Sequence, residues 1–241
     1  MINTPWMGLF MKRYILTFAM LGTFFGGMVS AQDRPVVLEL FTSQGCSSCP
    51  PADELLHKLA KEDDIIALSL HVDYWDYIGW KDSFADPAYT QRQRSYAQRQ
   101  RERMVYTPQI MVNGVEHVVG NRSERVIAAL EKHRQSPPVV ALAASRQGEN
   151  VIIDLSKAAK PGDFIVHLVT YKPSRQVAIK RGENAGRTIS YTNVVTSWRS
   201  LERWNGRKDK SIVVSATNND QMVVIVQKRN FGEIVGSVRV N

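Results

Sequence analysis

Cys46 and Cys49 are the only two cysteines in 241 residues, and they stand three apart as Cys46-Ser47-Ser48-Cys49. A bridge around two residues closes almost no loop in the unfolded chain, so it adds little stability of that kind. The pair is therefore read as kept for the chemistry of its sulfurs. A C-x-x-C at the start of a helix suits dithiol exchange. The helix N-terminus carries partial positive charge and unpaired N–H groups, which stabilise a thiolate and lower its pKa. On this reading Cys46 is the nucleophile that attacks a partner disulfide, and Cys49 resolves the mixed disulfide. The dithiol is itself the redox centre, so no dissociable cofactor is implied. The partners would be protein thiols or disulfides and a further protein that recycles the dithiol.

Strand and helix signals around the motif agree with this placement. Val36 to Phe41 is a short apolar run, read as a buried strand. Pro50 to Glu62 follows the cysteines with Leu55, Leu56 and Leu59 at helical spacing, its prolines in the first turn where the missing N–H costs nothing. Ile65 to Val72 is a second buried strand, which makes a right-handed parallel crossover. Tyr89 to Met104 suits a helix rich in Gln and Arg. Asn113-Gly114 marks a hairpin between Gln109–Val112 and Glu116–Val119, and Ser123 caps a helix running to His133.

Beyond Pro137-Pro138 the pattern changes. Eight short alternating runs recur between Val139 and Val240, separated by turns such as Pro161-Gly162-Asp163, with no helix signal. Such a series predicts an antiparallel sandwich or barrel. Trp198 and Trp204 are read as packing residues of a linking segment.

The first 31 residues read as an export signal. Lys12 and Arg13 precede the apolar Tyr14 to Phe25, and Val29-Ser30-Ala31 offers a small-residue cleavage pattern. An uncleaved anchor is the other reading, but the apolar run is about half the ~20 residues a spanning helix wants. Export places the chain in the periplasm or outside the cell, where disulfides persist. Removing the signal takes only two positive charges from the formal +8. That balance favours acidic partners weakly and is no nucleic-acid signature.

At this point a resemblance enters. The stretch Leu40-Phe41-Thr42-Ser43-Gln44-Gly45-Cys46-Ser47-Ser48-Cys49-Pro50-Pro51-Ala52-Asp53 is similar to the signature of a secreted bacterial family catalogued as domain of unknown function 1223, as is His71-Val72-Asp73-Tyr74-Trp75-Asp76. Residues 36–134 resemble a thioredoxin-fold module, and Tyr106-Thr107-Pro108-Gln109-Ile110 resembles its cis-proline element. The resemblance implies an α/β thioredoxin-like domain (32–136) followed by an all-β antiparallel sandwich-like domain (137–241). It implies that Pro108 is cis and that Thr107 and Pro108 position the substrate strand. In thioredoxin an acid buried behind the C-x-x-C helps to move protons. The nearest analogue here is Glu39, one position out of register, which on a strand reverses the side chain's direction; a strand carboxylate paired with Lys or Arg is the other reading. The family brings no established activity.

Other residues carry competing readings. A structural zinc site needs four ligands, so His57, His71 and one more group would have to join the two sulfurs. Cu(I) accepts two thiolates, which keeps open a non-enzymatic periplasmic binding protein, for Cu(I) or for a partner protein, on the same scaffold. His71, at the end of the second strand, is read as a strand-end hydrogen-bonding group or as a proton relay for Cys46. Tyr74, Trp75, Tyr77 and Trp80 line a peptide groove or form a lid. The arginines at 92, 94, 99, 101 and 103 read as a solvated helix rather than a nucleic-acid surface. Arg181-Gly182-Glu183-Asn184-Ala185-Gly186-Arg187 is a hairpin tip, with an anion site as the sharper alternative.

Overall fold

Strand β1 (Val36–Thr42) and strand β2 (Ile65–His71) are buried along their whole length. Apolar runs without alternation do this when both faces of a sheet are covered. The two pair in parallel, Val36 opposite Ile65 and Thr42 opposite His71. Helix α1 (Pro50–Leu59) makes the crossover. A short 3-10 turn (Asp76–Ile78) and helix α2 (Pro87–Gln100) follow. The Asp86 carboxylate starts α2 by accepting from the Ala88 N–H at 2.8 Å. Strands β3 (Gln109–Val112) and β4 (Glu116–Val119) form the hairpin that Asn113 and Gly114 announce, at φ 45° and 71°. Helix α3 (Ser123–Arg134) closes this half. The computed structural model describes residues 1–2, 35–137, 139–216 and 219–241. The proposed signal lies almost wholly outside them, and the elements all belong to the unit from Gln32 to Asn241. Among the described residues no helix is long and apolar enough to cross a membrane.

The expected fold class, a thioredoxin-like α/β domain followed by a separate β sandwich, is overturned. Strands β7 (Phe164–Ala178) and β8 (Thr188–Trp204) form a long hairpin, and β8 lies parallel beside β2 through Ser69 and Val194. Strands β10 (Gln221–Lys228) and β11 (Ile234–Arg239) extend the same sheet. The result is one mixed eight-stranded sheet in the order β11-β10-β7-β8-β2-β1-β3-β4. Only β5 (Leu142–Gln147), β6 (Asn150–Leu155) and β9 (Lys210–Ser215) make a second, three-stranded sheet.

The physical reason is the free side of β2. Left as an edge, it would show unpaired backbone groups beside a fully buried strand. β8 covers it. At Asn193 (φ 49°) the backbone of β8 turns left-handed, and the Asn193 side-chain amide donates to the Ala67 carbonyl of β2 at 2.9 Å. The sequence predicts short runs here, and Pro173 would normally interrupt a strand at Lys172-Pro173-Ser174-Arg175. The strand continues through it, with Ser174 opposite Thr192 and Arg175 opposite Tyr191. Likewise Trp198 and Trp204 belong to β8 rather than to a linker.

Both faces of β1 are used. Val36, Leu38 and Leu40 pack with Ile65 and Ala67 against Ala52, Leu56 and Leu59 of α1 and Val126 and Leu130 of α3. On the other face Val37 and Phe41 pack with Leu68, Leu70 and the α2 tyrosines 89 and 96, and this cluster runs on into Val169, Val223 and Ile225. One core thus joins the two halves of the sequence. The three-stranded sheet packs through Val151, Ile153 and Leu155 onto Val166, Val224 and Val226.

Candidate active site

Cys46 and Cys49 form a disulfide with their Cα atoms 5.4 Å apart. Cys46 is 2 % exposed and Cys49 0 %, while Ser47 and Ser48 between them are exposed. The motif is a turn, closed by the Cys49 N–H to the Cys46 carbonyl at 3.3 Å, immediately ahead of α1. Cys49 is the N-cap and already has helical dihedrals (φ −77°, ψ −36°). Pro50 and Pro51 have no N–H. The N–H groups of Ala52 and Asp53 both go to the Cys49 carbonyl, at 2.8 and 3.1 Å. The first turn therefore offers a thiolate its dipole and few direct donors. The hydrogen-bonding neighbour of the Cys46 sulfur is the Ser48 hydroxyl, at 3.5 Å.

The Thr107–Pro108 peptide is cis and Pro108 is buried. A Cβ placed on Gly120 would stand 3.1 Å from the Ala52 Cβ, 3.2 Å from the Pro108 Cβ and 3.3 Å from Leu40 Cδ1. So the proline loop and the first turn of α1 close on each other over a position that only hydrogen fills. Trp75 ties the same two loops. Its indole N–H donates to the Thr107 hydroxyl at 2.7 Å, and its Cβ would lie 3.2 Å from a Cβ on Gly45, next to Cys46. Trp80 donates to the Gln44 side chain at 2.8 Å and Tyr74 to Gln93 at 3.2 Å. Tyr77 instead projects, 80 % exposed, with its ring stacked on Trp75.

Glu39 is not brought to the cysteines. Alternation puts it with Val37 and Phe41, on the face away from α1. Its carboxylate accepts from Arg92 at 2.5 and 3.0 Å and from the Tyr96 hydroxyl at 2.6 Å. The Arg92 guanidinium also lies 3.6 Å from the centre of the Trp198 ring. Arg92 is thus a buried exception on a helix otherwise read as solvated, while Arg94 and Arg99 are exposed.

His71 does stand on the α1 side, beside Thr42 on the neighbouring strand. Its Nδ1 is 2.8 Å from the Asp82 carboxylate, and both side chains are fully buried. Asp82 also accepts the backbone N–H groups of Gln44 and Phe84, both at 2.8 Å, which locks the 73–86 segment onto the loop ahead of Cys46. Burial alone would raise Asp82, but His71 and these N–H donors outweigh it and hold the carboxyl below its usual range.

Sequence reasoning missed Asp53. It sits four residues past Cys49, on the same side of α1, and is 3 % exposed. Burial pushes its carboxyl up to about 7, with His71 and Thr42 pulling the other way and Asp82 adding to the rise. The Thr42 hydroxyl lies close enough to favour the anion without completing a hydrogen bond to it. Six buried polar atoms of this region have no hydrogen-bond partner among the described residues: Thr42 Oγ1, both Asp53 oxygens, Ser69 Oγ, His71 Nε2 and the Tyr191 hydroxyl. Tyr191, from β8, packs edge-on against His71 with ring centres 4.7 Å apart. The available signal was an acid among the apolar positions Ala52, Leu56 and Leu59.

His57 bonds to Thr192 at 2.8 Å. Among the described residues no group of three or more His, Cys, Asp or Glu is arranged to hold a metal ion.

Two solved structures share this architecture over most of its length. A protein of Agrobacterium tumefaciens is 32% identical, with 85% of this chain and 92% of that chain covered and a TM-score of 0.73. HBP35 of Porphyromonas gingivalis is 14% identical, with 86% and 74% covered and a TM-score of 0.59, a likeness of fold alone. No curated protein matches the chain. Residues 37–227 match the family described as Protein of unknown function (DUF1223), and the chain belongs to that family.

Proposed function

We propose that the protein is an exported thiol–disulfide oxidoreductase acting on protein cysteines through Cys46 and Cys49. The observation that carries this reading is the Cys46–Cys49 disulfide ahead of α1, with the carboxyl of Asp53 buried one turn behind Cys49. In the reducing direction the Cys46 thiolate attacks a substrate disulfide, and the far substrate sulfur leaves as a thiolate. Cys49 then gives its proton to the Asp53 carboxylate and attacks Cys46. The bond from Cys46 to substrate breaks, the Cys46–Cys49 bond re-forms, and the second substrate sulfur leaves. Oxidation of a substrate dithiol is the reverse. A recycling dithiol or disulfide protein restores the starting state.

Asp53 takes the relay role that the sequence reading offered to Glu39 and His71, and it lies near His71, which Asp82 holds in place. A pKa near the working pH lets one group serve as acceptor and donor. Thr107 and cis-Pro108 line the substrate side of the site. Export rests on Lys12, Arg13 and the apolar run that follows them.

The test is dithiol–disulfide exchange by the purified mature protein. Cys46→Ala abolishes it, and Cys49→Ala accumulates mixed disulfides through Cys46. Exchange that survives Cys46→Ala removes the proposal.

A further inference from the structure

The tip between β7 and β8 reaches the cysteines from the far half of the sequence. Asn184 is 1 % exposed and donates from one side-chain nitrogen to two carbonyls, Gln44 at 3.0 Å and Cys46 at 2.9 Å. Its own carbonyl accepts from Arg187 at 3.0 Å. Beside it the Glu183 carboxylate accepts the exposed Ser47 N–H at 3.3 Å. Gly182, at φ +77°, is placed so that a Cβ would lie 3.3 Å from the Trp80 Cβ. The neck of the tip is closed by paired N–H to carbonyl bonds between Ile179 and residues 186 and 187. Ile179 and Ile189 are buried there with Tyr191, against Trp80 and Phe84. This is a built contact, and it lies on the residue that must meet the substrate.

We propose that Asn184 is a positioning residue for Cys46, and that the tip selects thiols and disulfides on small molecules or extended segments over those on folded surfaces. The proposal rests on the exchange reading above. Asn184 fixes the 44–45 and 46–47 peptides, which bracket Gly45 and Cys46, and so sets where the Cys46 sulfur stands. Cys46 is 2 % exposed as a residue, with the tip held against its backbone on one side and the exposed Ser47 and Ser48 on the other. A cysteine on an extended strand can enter along that rim. A cysteine on a folded surface must first displace the tip, at the cost of the two Asn184 hydrogen bonds.

The experiment measures reduction of the protein's own Cys46–Cys49 bond in the full chain, by dithiothreitol and by reduced thioredoxin. In Asn184→Ala the rate with thioredoxin, a folded thiol carrier, rises about tenfold relative to the rate with dithiothreitol, the factor that follows from losing hydrogen bonds of ordinary strength. Glu183→Ala loses only one exposed bond and keeps the fold; it shifts the same ratio in the same direction by a smaller factor. Equal changes for both reductants, or an unchanged ratio in both variants, overturn the proposal. The ratio is read on the protein's own disulfide, so it is independent of whether Cys46→Ala abolishes substrate exchange. The first result judges the tip and the second judges the oxidoreductase.

Discussion

Asp53 stands one helical turn beyond Cys49 on the same side of α1, and neither of its carboxylate oxygens completes a hydrogen bond among the described residues. A buried acid without a fixed partner is costly as an anion, and that cost is what raises its pKa. On the proposed function, this puts a proton acceptor behind the resolving sulfur on the same short element.

A pH dependence of stability follows. The Asp53 carboxyl moves from an ordinary 3.8 to about 7 on folding, so the folded chain holds this proton more tightly than the unfolded one. Its contribution is full below about pH 4, declines as pH rises toward 7, and is lost above that, a span of about 4 kcal/mol. Asp82, held low by His71, acts with the opposite sign and loses its contribution as pH falls. The difference between wild type and Asp53→Asn isolates the first effect. Asp53→Asn gains stability relative to wild type from pH 4 to 8 in denaturant titrations, and its exchange rate at pH 7 falls about 100-fold. A flat difference across that range removes the buried-acid assignment.

Glu39 and Arg92 make the opposite prediction. Their pair is buried with the Tyr96 hydroxyl, on the sheet face away from α1. Glu39→Ala leaves a guanidinium uncompensated and costs about 3–5 kcal/mol in urea unfolding. Exchange by the folded fraction stays within about twofold of wild type. A large loss of exchange with stability intact would return Glu39 to the relay.

Residues 35–137 expressed alone do not fold. The β2 edge that β8 covers would be bare, and the cluster of Phe41, Leu68 and Leu70 would lose Val169, Val223 and Ile225. Circular dichroism and proton NMR of the fragment are expected to show an unfolded chain. A dispersed spectrum would restore an independent first domain.

Gly120 tests whether the proline loop must touch α1. Gly120→Val drives a branched side chain between Ala52 and Pro108, where even one carbon would be crowded. Overpacking costs about 1–3 kcal/mol, and the displaced cis-Pro108 lowers exchange more than stability alone accounts for. Gly120→Ala gives a smaller loss in both measurements.

Much of the local structure around the cysteines was legible in the chain. The Thr107–Pro108 peptide is cis as the family resemblance implied, and the cysteine spacing, the strand before it, the prolines opening α1 and the Asn113-Gly114 hairpin all stand where local pattern put them. Each depends on neighbours within a few residues, which periodicity and turn chemistry report directly. The fates of Glu39 and Arg92, 53 positions apart, were not legible, because residue type states the need for a partner and not its address. The β-rich half was misread for the same reason. Alternating strands announce a sheet, but they are silent on whether it stands alone or joins another. Tertiary structure decided that β8 covers β2, that Tyr191 packs on His71, that Asn184 reaches the Cys46 carbonyl from 138 residues away, and that Asp53 is buried. Burial and long-range pairing set those charges and contacts, and no local stretch of sequence contains them.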